Sequence, residues 1–201
     1  AVTLRAVPNA GYRFSNWSGD LSGNTNPVTL IMEADSATLA ARPEMRYMPA
    51  STVARWRQAH DGFVGASDYD PAVAKRAIKL RRDLILALHR AGAGLLLSAD
   101  APQVFNVPGF SLHREVELMV AAGLTPFEAL QAGTTNAAKF LGLKTGAIAT
   151  GYEADLVMLD SDPLEDISST RRVHGVMVRG RWYSGADIEA LLSRFRVDDR
   201  N

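Results

Sequence analysis

Cysteine is absent from the 201 residues, and neither sign of charge is in excess, with 22 basic and 22 acidic residues. The absence of cysteine excludes disulfide scaffolds, Cys-type zinc sites and thiol nucleophiles, so any metal must be bound by His, Asp or Glu. It leaves the cellular compartment open. Because the charges balance, no long-range field would attract nucleic acid or a polyanionic substrate, and we expect no nucleic-acid partner.

The sequence also lacks an apolar run of the roughly 20 residues that a membrane-spanning helix needs. Its first residues lack the basic start and apolar core of a signal peptide. The composition, 47% hydrophobic and 22% charged, is typical of a globular protein. The chain begins without Met in the middle of an apparent strand, which we interpret as a fragment or a processed product.

Apolar residues alternate with polar ones from residue 1 to about residue 41, between turn clusters rich in Gly, Asn, Asp and Ser. This period of two predicts a small antiparallel sheet of about four strands, the last over residues 37–41. The pattern changes at Arg42-Pro43. We therefore predict a small antiparallel β domain over residues 1–42.

Residues 43–144 have the pattern of part of an α/β fold. Helices are predicted over residues 52–59, 71–91 and 111–122, and another opens at Thr125 with a capping box and ends near Leu141-Gly142. The apolar run 95–97 predicts a strand buried on both faces. Residues 145–201 are predicted to form a small β-sheet domain with a terminal helix, with strands at 146–148, 154–159, 173–178 and 182–183 and the helix at 188–195.

Residues 95–102, an apolar run ending in Ser-Ala-Asp-Ala-Pro, and residues 107–113 resemble the last barrel strand and following loop of the amidohydrolase superfamily. They are most similar to the imidazolonepropionase-like and metal-dependent dipeptidase-like members. Similarity continues in consistent order through residues 115–118, 122–130, 135–142, 146–160, 162–164 and 178–181. The resemblance implies that the α/β part is the C-terminal fragment of a TIM-like barrel, followed by part of its small β-sheet domain.

Residues 1–41 resemble something different, the internalin-type B-repeat of bacterial surface proteins. The segments 11–14, 17–21 and 26–27 carry this likeness. Because such repeats are known mainly from extracellular proteins, this resemblance favours an extracellular or cell-envelope location.

The amidohydrolase resemblance gives Asp100 a specific role. Active sites of barrel enzymes lie at the C-terminal ends of the strands, where Asp100 would follow the strand 95–97. The resemblance implies that Asp100 ligates a divalent metal, with zinc the expected ion, and exchanges protons as catalytic residue during cleavage of a C–N bond. The competing interpretation is an aspartate that caps the turn before Pro102.

A catalytic metal needs about three protein ligands, and the resemblance supplies the others from a His-x-His pair, a carboxylated Lys and two later His. None of these is recognisable in this sequence. His60, His89 and His174 are expected to be structural. His113 follows the Asp100 loop, and we predict that it contacts substrate; the alternative is a surface His beside Glu117.

A complete barrel takes ~250 residues, whereas about 100 lie between residue 43 and the terminal sheet. The sequence therefore predicts part of a metal-dependent amidohydrolase acting on a small amide or dipeptide-like substrate, inactive by itself. A partner chain or an N-terminal part would complete the barrel. The alternative function is a surface-binding or adhesion module that carries a relic enzyme segment.

Overall fold

The computed structural model describes residues 34–197 and two short strands, β1 (Thr3–Leu4) and β2 (Val28–Thr29). The two strands pair antiparallel, with Thr3 opposite Thr29 and Leu4 opposite Val28. This pairing agrees with the antiparallel arrangement predicted for the start of the chain. The rest of the predicted N-terminal sheet up to residue 33, including most of the B-repeat-like segment, lies outside the described residues.

The last strand predicted in this region is wrong, because residues Ser36–Ala40 form a helix, α1. Asp35 begins the helix by accepting a hydrogen bond from the Thr38 backbone N–H at 2.8 Å. Leu39 is buried in a cluster with Met45. In so short a segment, apolar residues two positions apart are compatible with a strand or with a helix. The cap formed by Asp35 favours the helix. The boundary predicted near residue 42 stays a prediction.

Helices form most of residues 43–144. A 3₁₀ helix, Pro43–Tyr47, precedes α2 (Ala50–Val64), α3 (Pro71–Arg90), α4 (Phe110–Ala121), α5 (Pro126–Gly133) and α6 (Thr135–Leu141). The helices predicted over residues 52–59, 71–91 and 111–122 are confirmed, with α2 extending beyond its predicted range at both ends. The single helix predicted from Thr125 to about residue 141 is instead two helices, α5 and α6, which are divided at Thr134. The predicted capping box is also present, with Glu128 Oε2 accepting from the Thr125 N–H at 2.8 Å. Within the described part of the chain, no helix is long and apolar enough to cross a bilayer.

The predicted strand at 95–97 is absent. Residues 93–100 form neither a helix nor a strand, and Leu96 is 42% exposed. The segment is held by helices instead: the Leu97 N–H donates to the Ala132 carbonyl at 3.1 Å, and Asn136 Nδ2 donates to the Leu95 carbonyl at 3.3 Å. A strand needs a neighbouring strand for its backbone hydrogen bonds, and residues 34–197 supply none there.

Two hydrophobic clusters organise the helices. The first lies between α4 and α5 and also contacts Leu95 and Leu97; its buried members are Val116, Met119, Leu124, Ala129 and Ala132. The second joins α1 and α2 to the loop before α4; its buried members are Leu39, Met45, Phe105 and Val107. The loop that follows Asp100 is therefore fixed by the core.

The C-terminal part contains the predicted antiparallel sheet, formed by β3 (Leu156–Leu159), β4 (Val173–Val178) and β5 (Arg181–Ser184) in that order. Helix α7 (Gly185–Ser193) begins earlier than predicted because Ser184 and Asp187 form a capping box. Gly175 in β4 lies under Trp182, where a Cβ atom would be 2.1 Å from the indole ring. The strand predicted at 146–148 is absent, and Ile148 is 90% exposed.

Helix α3 contains a buried charge. Arg81 is 2% exposed, and within the described part of the chain none of its three guanidinium nitrogens has a hydrogen-bond partner. Burial lowers the pKa of Arg81 to about 10, so the side chain remains charged at neutral pH. Such a charge opposes folding of the chain as it stands.

Replacing Arg81 with Met should therefore stabilise this chain, because Met keeps much of the apolar volume and removes the buried charge. We expect the free energy of unfolding to rise by ~1–4 kcal/mol in urea titrations. Arg82→Met, at the next and exposed position, is the matched control and should change it by less than about 0.5 kcal/mol. Destabilisation by Arg81→Met alone would contradict this interpretation.

Candidate active site

Asp100 follows the irregular segment 93–99 and is exposed. Its backbone is left-handed, with φ of 49°, a conformation that Asp tolerates better than most residues. Its carboxylate oxygen Oδ2 accepts a hydrogen bond from Gln103 Nε2. The aspartate is thus presented to solvent at the end of this segment, oriented by one amide from its own loop.

Asn106 fixes the Asp100 loop from its buried end. Its Nδ2 donates to the Ala99 carbonyl at 3.0 Å, and its backbone N–H donates to the Gln103 carbonyl at 2.8 Å. Asn106 is 6% exposed, between the buried Phe105 and Val107. The side chain therefore closes the loop directly before Asp100 and connects it to the second hydrophobic cluster.

The loop continues directly into α4. The Val107 N–H donates to Ser111 Oγ at 2.8 Å, and Phe105 has φ of 57°, a left-handed conformation that is unfavourable for an aromatic residue. Such a conformation persists only where the surrounding structure imposes it. Packing of Phe105 against Trp56, with ring centroids 5.9 Å apart, provides that constraint.

His113 lies near the start of α4 and is half-buried. Glu117, one turn later, is bound by Arg171 through two hydrogen bonds, Nε to Oε1 at 2.7 Å and Nη2 to Oε2 at 3.1 Å. Burial lowers the pKa of His113, the Arg171 charge lowers it further, and Glu117 partly opposes the shift. The imidazole is therefore neutral at pH 7. Within residues 34–197, no hydrogen bond or ion pair joins His113 to Asp100.

The other three histidines have carboxylate neighbours away from Asp100. His89 Nε2 lies 2.9 Å from Glu128 Oε1, and His174 Nδ1 lies 3.0 Å from Asp160 Oδ1. His60, predicted to be in a loop, is instead in α2 and buried beside Phe105, because α2 extends past the predicted end. Asp61 contacts the Nδ1 atom of His60, and the other ring nitrogen, Nε2, has no hydrogen-bond partner among the described residues.

The donors around Asp100 do not by themselves suit a metal ion. In the described ranges, no three His, Asp or Glu side chains are grouped closely enough to hold one. Asp100 offers a single carboxylate, whereas catalytic zinc takes about three protein ligands. A metal at Asp100 would need further ligands from outside these residues.

Asn106 is the contributor that the sequence pattern did not identify. A polar residue between the apolar Phe105 and Val107 was the available signal, since such a residue, if buried, must form hydrogen bonds. Its partner lies seven residues earlier, and no periodic pattern covers that separation.

A model of the amidohydrolase family matches residues 22–183. The adenine deaminase of Bacillus licheniformis is 41% identical over 78 residues, which cover 38% of this chain and 13% of that protein. The imidazolonepropionase of Deinococcus deserti is 38% identical over 100 residues, covering 49% of this chain and 24% of that protein.

The structure of a bottromycin amidohydrolase superposes with a TM-score of 0.63 at 27% sequence identity. The match covers 81% of this chain and 36% of that protein. The chain therefore spans about a third of this neighbour and a quarter or less of the two curated relatives.

If Asn106 holds the Asp100 loop, Asn106→Ala should loosen it, because the Ala99 carbonyl loses its donor. We expect faster amide hydrogen exchange over residues 99–107 and a loss of ~1–3 kcal/mol in unfolding free energy. The control Gln103→Ala, which removes the bond to the Asp100 carboxylate and leaves the Asn106 side chain in place, should leave exchange at residues 105–107 unchanged. Unaltered amide hydrogen exchange in Asn106→Ala would show that contacts other than those of Asn106 hold the loop.

Proposed function

Because the chain belongs to the amidohydrolase family, we propose that it supplies one part of the catalytic domain of a metal-dependent hydrolase that cleaves a C–N bond, amide or peptide, in a small substrate. The observation that carries the proposal is Asp100, a solvent-facing carboxylate on a loop anchored in the core. The range that the family model matches, residues 22–183, includes Asp100 and this loop.

Two features of the relatives support this proposal. Their names include a deaminase, an imidazolonepropionase and an amidohydrolase, which share the cleavage of C–N bonds and differ in substrate. Each relative is several times longer than the matched segment. We therefore assign the activity to a longer polypeptide or an assembly in which a partner chain provides the remaining part of the barrel.

We propose Asp100 as one ligand of a divalent metal in that complete enzyme, with zinc as the expected ion. Because the described residues offer no further ligands beside it, the rest must come from outside them. The contribution of this chain is positional: Gln103 orients the Asp100 carboxylate, and Asn106 fixes the backbone that carries it.

We propose that His113 contacts the substrate as a neutral imidazole. Burial keeps it uncharged, and Glu117 is already engaged by Arg171, so the ring nitrogens remain available to a ligand. A neutral imidazole offers one donor and one acceptor, which matches an amide group. The alternative function, an adhesion module with a relic enzyme segment, gains no support from the family match or the named relatives.

The proposal is tested in a chimera in which residues 43–201 replace the superposed segment of the bottromycin amidohydrolase. The chimera should hydrolyse that enzyme's own substrate, and Asp100→Asn should lower kcat/KM by ~10²–10⁴-fold, the usual contribution of an acid–base group. Asp83→Asn is the control, since Asp83 pairs with the exposed Lys79 on α3.

Metal content provides a second readout that does not depend on turnover. Asp100→Asn should lower the zinc bound per chimera, measured by mass spectrometry, whereas Asp83→Asn should not. The 201-residue chain alone should bind no stoichiometric zinc in calorimetry. An Asp100→Asn chimera with full activity and full metal content would refute the assignment, as would tight zinc binding by the isolated chain.

A further inference from the structure

A groove lies between the 3₁₀ helix Pro43–Tyr47 and the first turns of α2. Its volume is about 570 Å³, which is within the usual range for small-molecule sites, ~300–1,000 Å³. Met45, Met48 and Val53 contribute apolar surface to it. The groove is thus large enough for a ligand with an apolar body.

The charged residues that line the groove are all arginines: Arg42, Arg46, Arg57 and Arg196. Arg196 pairs with Glu189, and Arg46 donates from Nε to the Pro43 carbonyl at 2.8 Å. Among the described residues, the side chains of Arg42 and Arg57 form no hydrogen bond or close ion pair. Their guanidinium groups are therefore available to a bound anion.

Two acidic side chains act on these arginines from outside the lining. Glu44 attracts Arg42, and the charge of Arg57 acts on Asp61. Asp61, however, is already hydrogen-bonded to His60. Neither carboxylate occupies the groove, so its positive charge is not neutralised from within.

Arg42 also experiences repulsion from the protein. Burial lowers its pKa first, and the charges of Arg114 and Arg171 lower it further. Arg114 Nε is itself buried without a partner among the described residues. An anion near Arg42 would relieve this repulsion, because it interacts favourably with each of the three guanidinium groups.

The groove and the Asp100 loop share one hydrophobic cluster. Met45 is buried in that cluster with Phe105 and Val107, and Met48 and Val53 pack against it. The groove floor is therefore the other side of the core that fixes the loop after Asp100.

We propose that this groove is a binding site for a small carboxylate with an apolar body, in which Arg42 and Arg57 bind the carboxylate and Met45, Met48 and Val53 contact the apolar part. A guanidinium group matches a carboxylate in geometry as well as in charge.

The test uses N-acetyl-L-leucine as probe and the uncharged N-acetyl-L-leucinamide as its matched ligand, titrated into the metal-free 201-residue chain and followed by NMR. The acid should bind with a Kd in the millimolar range or tighter, and the amide about tenfold more weakly, since it lacks the charge-assisted hydrogen bonds. Added salt should weaken binding of the acid and leave binding of the amide unchanged.

The variants locate the site. Arg57→Met and Arg42→Met should each weaken binding of the acid by about tenfold. Arg55→Met is the control, because Arg55 is also on α2 but hydrogen-bonds to Thr52 and does not line the groove. Thermal unfolding verifies that each variant is folded. If Arg42→Met is unfolded, the test rests on Arg57→Met, because Arg57 is exposed.

Equal binding of acid and amide, no saturable binding in the millimolar range, or an equal loss in Arg55→Met would overturn the site. The experiment involves neither metal nor turnover. Failure of the acid to bind would therefore refute the carboxylate site and leave the C–N hydrolase proposal intact. An inactive chimera, together with normal binding of the acid by the 201-residue chain, would refute the hydrolase proposal and leave the carboxylate site intact.

Discussion

The site depends on the hydrogen bonds that hold the backbone just before Asp100. A segment outside helices and strands must still satisfy its N–H and C=O groups, and here two hydrogen bonds to α5 and α6 hold residues 95–97. Close packing supports them, since a Cβ at Gly133 would lie 2.7 Å from Leu97 Cδ2. Helices thus fix the position of the segment, and the segment in turn places Asp100.

Charge is distributed unevenly although the net charge is zero. Arg81 is buried without a partner in the described part of the chain, and Arg42, Arg114 and Arg171 repel one another around Glu44 and Glu117. Unpaired guanidinium groups lower stability and are tolerated where they recognise an anion. The two hydrophobic clusters offset this cost and keep the groove and the Asp100 loop in fixed positions.

Local signals predicted the helices well. The capping box at Thr125 and Glu128 is readable in the sequence because its bonds span three residues, and β4 occupies its predicted range, Val173–Val178. Asp100 was likewise singled out from its position after an apolar run; the structure places it, exposed, after an irregular segment instead of the predicted strand, and its role stays a prediction. The family assignment was also predicted from the order of its motifs.

Features that depend on neighbours distant in sequence could not be predicted. Residues 95–97 and 146–148 have strand-like composition, but a strand requires a partner, and the described residues provide none. Asn106 acts through a bond to Ala99, and the groove combines arginines from positions 42, 46, 57 and 196. Only the packing of the chain brings these groups together.

We propose that Asp100 binds a metal once the barrel is complete. Anomalous diffraction at the zinc edge from crystals of the bottromycin amidohydrolase chimera tests this directly. We expect an anomalous peak about 2.0–2.2 Å from an Asp100 carboxylate oxygen, with at least two further protein ligands from the other part of the barrel. A fully occupied zinc site in which Asp100 is not a ligand would contradict it.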